Sequence, residues 1–256
     1  MVELYHSGLT SCSVKVRLCL REKGVPYASR YISLRKFEHH TPEYLALNPN
    51  GLIPTLVHDG VAIYESNVIN EYIDEVFSGP ALRPADPIGR TRMRIWSKFA
   101  DEIALSAFMK PIWAARFAPV IRELSEEQLK LTLSRVPLQE RRDSWHILAK
   151  GNFSDAEIKA CREKMNFIVS RAESDLEKWP WLAGNTYSLA DINLFPWLIR
   201  LKEFAPELMS VTTAPRTAEW FQRVLERPAA RDSLVPSDET PEHAGQGLIY
   251  RDLIAA

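Results

Sequence analysis

Residues 48–73 read NPNGLIPTLVHDGVAIYESNVINEYI. Asp59-Gly60 separates two short β-prone runs, and an Asp-Gly pair in that place predicts a hairpin because both turn positions favour positive φ. Pro54 stands at the entrance to the first run. From Ser66 onward Val68, Ile69, Tyr72, Ile73 and Val76 recur at helical spacing and predict one apolar stripe. The stretch therefore reads strand–strand–helix. Upstream, TPEYLALN (41–48) predicts a short helix with Thr41 at the N-cap and Pro42 at N1. YASRYISL (27–34) reads as a strand. Residues 12–23 read as a helix in which Val14, Val16, Leu18 and Leu20 flank Lys15, Arg17 and Arg21, with Gly24 as the stop. VELYH (2–6) is a short strand.

The resulting order, βαβαββα over residues 1–77, is that of a thioredoxin-like α/β domain. SGPALRPADP (78–87) has no periodicity and is rich in Pro and Gly, so it reads as a linker. Beyond it the texture is helical over 88–118, 125–149, 154–179, 188–204 and 214–226, which predicts an all-α second domain over 88–234. SLAD (188–191) is a capping box, with Ser188 as cap and Asp191 three residues on. Residues 235–256 hold turn formers and little apolar pattern, and read as a C-terminal tail.

Composition narrows the function. The chain has 256 residues, 46% apolar and 25% charged, with a net charge of −1, which argues against an electrostatic nucleic-acid binder. No apolar run approaches the roughly 20 residues of a membrane helix. MVELYHSGL lacks the pattern of a signal peptide. Cys12, Cys19 and Cys161 form no CxxC or Cys/His cluster, so the expectation is free thiols in a cytoplasmic protein without a metal site.

Three local motifs bear on chemistry. Read alone, Pro54 fits either a trans turn proline or a cis proline that turns the backbone of Ile53 outward as an edge for a peptide ligand. Glu65-Ser66 fits either a plain helix cap or a corner for an amino-acid zwitterion. In the second case Ser66 and the helix amides hold the carboxylate and Glu65 accepts from the ammonium. Thr10-Ser11-Cys12-Ser13 gathers hydroxyl donors at a helix start, where they and the helix dipole would stabilise a thiolate. Together these describe a pocket for a small thiol peptide, glutathione.

NPNGLIPTL, YESNVINEYI and YSLADI, in this order, resemble the cis-proline, glutamate-serine and capping-box motifs of cytosolic glutathione transferases. That resemblance spans most of the chain. It implies the glutathione transferase fold, glutathione as cosubstrate and a homodimer. KFEHH (36–40), LRPADP (82–87), WSKFADE (96–102) and RVPLQERRDSW (135–145) are similar to bacterial β-aryl-etherases of lignin catabolism. Those enzymes use the glutathione thiolate to displace a phenol from the β-carbon of α-keto aryl ethers. Their pattern implies Ser13, two residues before Lys15, as the catalytic hydroxyl, although Cys12 stands where that pattern has asparagine. TSCSVKVR is also similar to the zeta-class signature, which shifts the hydroxyl to Thr10 with Ser11 beside it. The order of candidates is Ser13, Ser11, Thr10. The resemblance also implies His39 and His40 at the glycine carboxylate, with His40 preferred. Ile53 and Pro54 fall at the cysteinyl backbone, and Glu65 and Ser66 at the γ-glutamyl end.

The second, hydrophobic substrate is expected against residues 96–117, where Phe108, Met109 and Trp113 are the candidates because Pro111 breaks the helical pattern beside them. Trp145, Trp197 and Trp220 read as core. Other readings stay open at this level: conjugation of other electrophiles, zeta-like isomerisation, or a ligand-binding protein without catalysis.

Overall fold

The computed structural model describes residues 1–8 and 10–234. The expected α/β order is borne out. It runs β1 (Val2–His6), α1 (Ser11–Lys23), β2 (Ala28–Tyr31), α2 (Pro42–Leu45), β3 (Thr55–His58), β4 (Val61–Tyr64) and α3 (Ser66–Val76). The sheet order is β2-β1-β3-β4, with β1 parallel to β2 and antiparallel to β3, and β3 antiparallel to β4. Asp59 and Gly60 take φ values of 49° and 84°, as the hairpin demands. The Thr41 hydroxyl caps α2 by accepting from Tyr44 N–H. Gly24 closes α1 in the left-handed region.

The helical half follows: α4 (Pro87–Phe99), α5 (Leu105–Arg116), α6 (Ala118–Arg122), α7 (Glu126–Ser134), α8 (Gln139–Lys150), α9 (Asp155–Leu176), α10 (Leu189–Phe204), α11 (Pro215–Leu225) and α12 (Pro228–Leu234). Residues 88–118, expected as one helix, are interrupted by a π turn at Ala100–Ala104, and α5 runs on through Pro111. The 125–149 pattern divides at Val136-Pro137, where proline cannot continue α7. Helix α12 was not expected as a separate element. The tail expected over 235–256 lies outside the described residues.

Three buried clusters join the halves. Helix α1 is buried nearly all round, so the charges expected on its surface are internal. Lys15 is fully buried and donates to Asp101 of the π turn (2.9 Å) and to Asn67 of α3 (3.3 Å). Arg17 donates to the Ser233 carbonyl of α12 (3.0 and 2.8 Å). The SLAD box forms as expected: Asp191 accepts from Ser188 N–H at 2.9 Å. It also accepts from Leu182 N–H at 3.1 Å and Trp220 Nε1–H at 2.8 Å, which ties α10 to α11. Asn70 of α3 donates to Asn193 of α10 at 2.8 Å.

The apolar stripe expected on α3 is only half internal. Ile69 and Ile73 are buried, but Val68 and Val76 are exposed, because α3 presents one face to α1 and the other to solvent. Among the described residues no helix is long and apolar enough to cross a membrane. None of the three cysteines is in a disulfide.

A candidate glutathione site facing an aromatic wall

One cavity of about 350 Å³ lies where the start of α1, the loop before β3 and the start of α3 meet α5, α8 and α10. Its α/β side is formed by Thr10, Ser11, Cys12, Ile53, Glu65 and Ser66. The opposite side carries Met109, Trp113, Arg141, Trp145 and Trp197. That volume suits a small ligand held between domains.

Helix α1 begins at Ser11, and its first intrahelical bond is Val14 N–H to Thr10 C=O. The amides of the first turn therefore lack helical acceptors and make an electropositive end. Thr10 and Ser11 line the cavity beside them. Ser13 does not: it is fully buried, its oxygen accepting from Ser7 N–H (3.4 Å) and pairing with the Thr10 hydroxyl (2.7 Å). The order Ser13, Ser11, Thr10 is thus corrected on geometry, since Ser13 sits one layer behind Thr10. Ser11 has the freest hydroxyl. Its one acceptor is the Pro196 carbonyl at 3.4 Å, whereas Thr10 Oγ1 is held by both Ser13 and the Ser7 carbonyl (3.2 Å). The Cys12 thiol also faces the cavity, but burial pushes its pKa up, outweighing the pull of Lys15. It stays protonated at neutral pH and is a poor nucleophile.

The Ile53–Pro54 peptide is cis, and both residues line the cavity. Among the described residues neither the N–H nor the C=O of Ile53 has a hydrogen-bond partner. Glu65 precedes α3 with φ 71° and ψ 108°, an uncommon conformation for a residue with a side chain. The strain places an exposed carboxylate at the rim beside Ser66 and the free amides of α3. Of the two histidines, His39 lines the cavity and His40 packs behind it, ring centroids 3.8 Å apart. The preference for His40 is corrected accordingly. Gly51 (φ 60°) makes this packing possible, for a Cβ there would come within 2.9 Å of the His40 ring. Burial holds both imidazoles neutral, and the His39 Nδ1 is buried without a partner.

On the far wall Met109 and Trp113 are placed as expected, while Phe108 is corrected: it is fully buried, stacked on Trp197 at 6.0 Å, and does not reach the cavity. Trp145 and Trp197, expected in the core, are largely buried yet form part of the wall, whereas Trp220 is core throughout. Trp113 and Trp145 stack at 4.9 Å, and Phe117 meets Trp145 edge-on at 5.6 Å. Sequence reasoning missed Arg141 and Asp101, both of which line the cavity. Arg141 lay within a stretch noticed only for its resemblance.

Residues 10–76 match the family model for the glutathione S-transferase N-terminal domain and residues 108–228 that for the C-terminal domain. The chain belongs to the glutathione S-transferase family. The transferase is 32% identical to the protein LigF of Sphingobium sp. strain SYK-6, over 90% of this chain and 92% of that one. The crystal structure of the beta-etherase LigF from that strain superposes with a TM-score of 0.85, covering 91% of this transferase and 98% of LigF. Glutathione S-transferase F13 of Arabidopsis thaliana is 26% identical over 89% of this chain and 92% of its own. A theta-class transferase from Xanthomonas axonopodis pv. citri, solved with glutathione bound, shares the fold at 23% identity, covering 92% of this chain and 98% of its own (TM-score 0.70).

Proposed function

We propose that this transferase cleaves β-O-4 aryl ethers of α-keto aromatic dimers with glutathione, in the manner that the resemblance to β-etherases implies. The observation that carries the reading is the wall of Met109, Trp113, Trp145 and Phe117 set directly across one cavity from Thr10 and Ser11. Flat aryl rings suit such a wall. In this reading residues 1–77 hold glutathione, 88–234 supply the hydrophobic site, and 78–87 join them in a cytoplasmic protein.

Glu65 accepts from the γ-glutamyl ammonium, while the Ser66 hydroxyl and the first amides of α3 donate to its carboxylate. Ile53 pairs with the cysteinyl backbone. Neutral His39 donates a ring N–H to the glycine carboxylate. Ser11, with Thr10 beside it, donates to the sulfur and raises its thiolate fraction. The thiolate attacks the β-carbon, a C–S bond forms, and the aryl oxygen departs with the C–O electron pair. Positioning and fixed donors supply the rate.

The test is release of phenol from a racemic α-keto β-O-4 aryl ether in the presence of glutathione, followed by chromatography. Release that stops near half of the racemate is expected of a stereospecific etherase. No release, with turnover of a generic electrophile, moves the protein to the conjugating transferases, a reading that the relatives near 26% identity favour.

We also propose a homodimer. Val61, Tyr64, Val68, Val76, Ile88 and Ile95 are exposed apolar residues on β4, α3 and α4, and the Glu71–Arg94 ion pair (3.2 Å) links the two helices. Apolar surface of this kind needs a cover. Light scattering is expected to give twice the mass of one chain, and Val68→Arg to give a single chain's mass.

A further inference from the structure

Arg141 has no assigned part in the binding of glutathione or in the aromatic wall. Its guanidinium lies over the Trp113 ring, 4.9 Å from the centroid, and Nη1 contacts the Met109 sulfur at 3.4 Å. Nε is buried without a hydrogen-bond partner. The other buried cations near the cavity are neutralised. Arg116 donates to both Glu203 oxygens at 2.8 Å, Arg200 donates to Glu203 at 2.9 Å, and Lys15 donates to Asp101 at 2.9 Å. Arg141 alone among these has no carboxylate partner among the described residues. Burial accordingly pulls its pKa down. A guanidinium kept from water without a counter-charge is costly, and an incoming anion offsets that cost.

Two anions could meet it: the glycine carboxylate of glutathione or an oxygen of the second substrate. His39 and exposed Arg35 already stand at the glycine end of the α/β side. Arg141 instead rests on Trp113 and Met109, the surface against which the aryl ring would lie.

We propose that Arg141 is a catalytic residue that donates its forked N–H groups to the aryl oxygen as the ether bond breaks. The proposal rests on the etherase reading above. As sulfur bonds to the β-carbon, the C–O pair moves onto oxygen and phenoxide leaves. Its negative charge is held by Arg141 until water protonates it. No general acid is then required, and weakly acidic phenols benefit most.

The test compares the parent with Arg141→Gln and Arg141→Lys on α-keto aryl ethers whose leaving phenols span a wide range of acidity. Arg141→Gln is expected to lose about 100-fold in kcat/KM on ethers of weakly acidic phenols, the scale of one lost oxyanion donor, and under about 5-fold on a nitrophenyl ether. The KM for glutathione is expected to stay within about twofold. Arg141→Lys, which keeps the charge but not the fork, should fall between. If Arg141→Gln does not fold, a steeper dependence on leaving-group acidity in Arg141→Lys than in the parent carries the same conclusion. An equal loss on every ether, or a loss carried by the KM for glutathione, overturns the proposal while leaving the etherase reading in place. A parent that releases no phenol from any of the ethers overturns both.

Discussion

Asp191→Ala is expected to destabilise the protein by about 4 kcal/mol, because it orphans several buried donors at once. The carboxylate accepts from Leu182 N–H, Ser188 N–H and Trp220 Nε1–H, and all three donor residues are essentially buried. For a chain of this size that loss corresponds to a fall in Tm on the order of 10 °C. Asp191→Asn keeps one oxygen acceptor but turns an amide N–H toward the other donors, so about half the loss is expected. Burial also raises the Asp191 pKa from 3.8 to about 6. Between those values the folded protein binds the proton and the unfolded chain does not. This residue's contribution to stability therefore falls as pH rises from about 4 to about 6, by about 3 kcal/mol. Urea unfolding at pH 4, 6 and 7.5 checks both statements. A variant as stable as the parent, or a parent–Asp191→Asn difference that ignores pH, would show that the carboxylate is dispensable.

The second large effect concerns turnover. Ser11→Ala is expected to lower kcat/KM by about 10–100-fold, the worth of one hydrogen bond to a charged group. The pKa of the bound glutathione thiol should rise by about one unit or more, read from thiolate absorbance against pH. Ser13→Ala, whose hydroxyl is a layer removed, is expected to cost less than about threefold, by loosening Thr10 alone. A larger loss in Ser13→Ala than in Ser11→Ala would return the thiolate donor to Ser13.

Much of the α/β half was legible because its signals are local. Asp59-Gly60, Thr41-Pro42, Gly24 and Ser188-Leu-Ala-Asp191 each specify backbone geometry within four residues. The depth of Ser13 was not legible, since the rotation of α1 is set by what it packs against. Lys15 and Arg17 look like surface charges in sequence, yet their partners lie 52, 86 and 216 residues away. The two histidines are adjacent, so spacing could not say which of them faces the cavity. Val68 and Val76 fit the apolar stripe by periodicity, but whether the flank of a stripe meets the core or solvent depends on neighbours outside the helix.

The π turn at Ala100–Ala104 has a consequence for how this scaffold changes specificity. A π turn accommodates an extra residue in a helix whose residues are set about 100° apart. Removing one codon from this segment would restore regular winding and rotate all that follows. Met109, Trp113 and Phe117 would leave the cavity together and other side chains of α5 would enter. The acceptor site can thus be re-aimed by a single insertion or deletion, without touching the residues that meet glutathione.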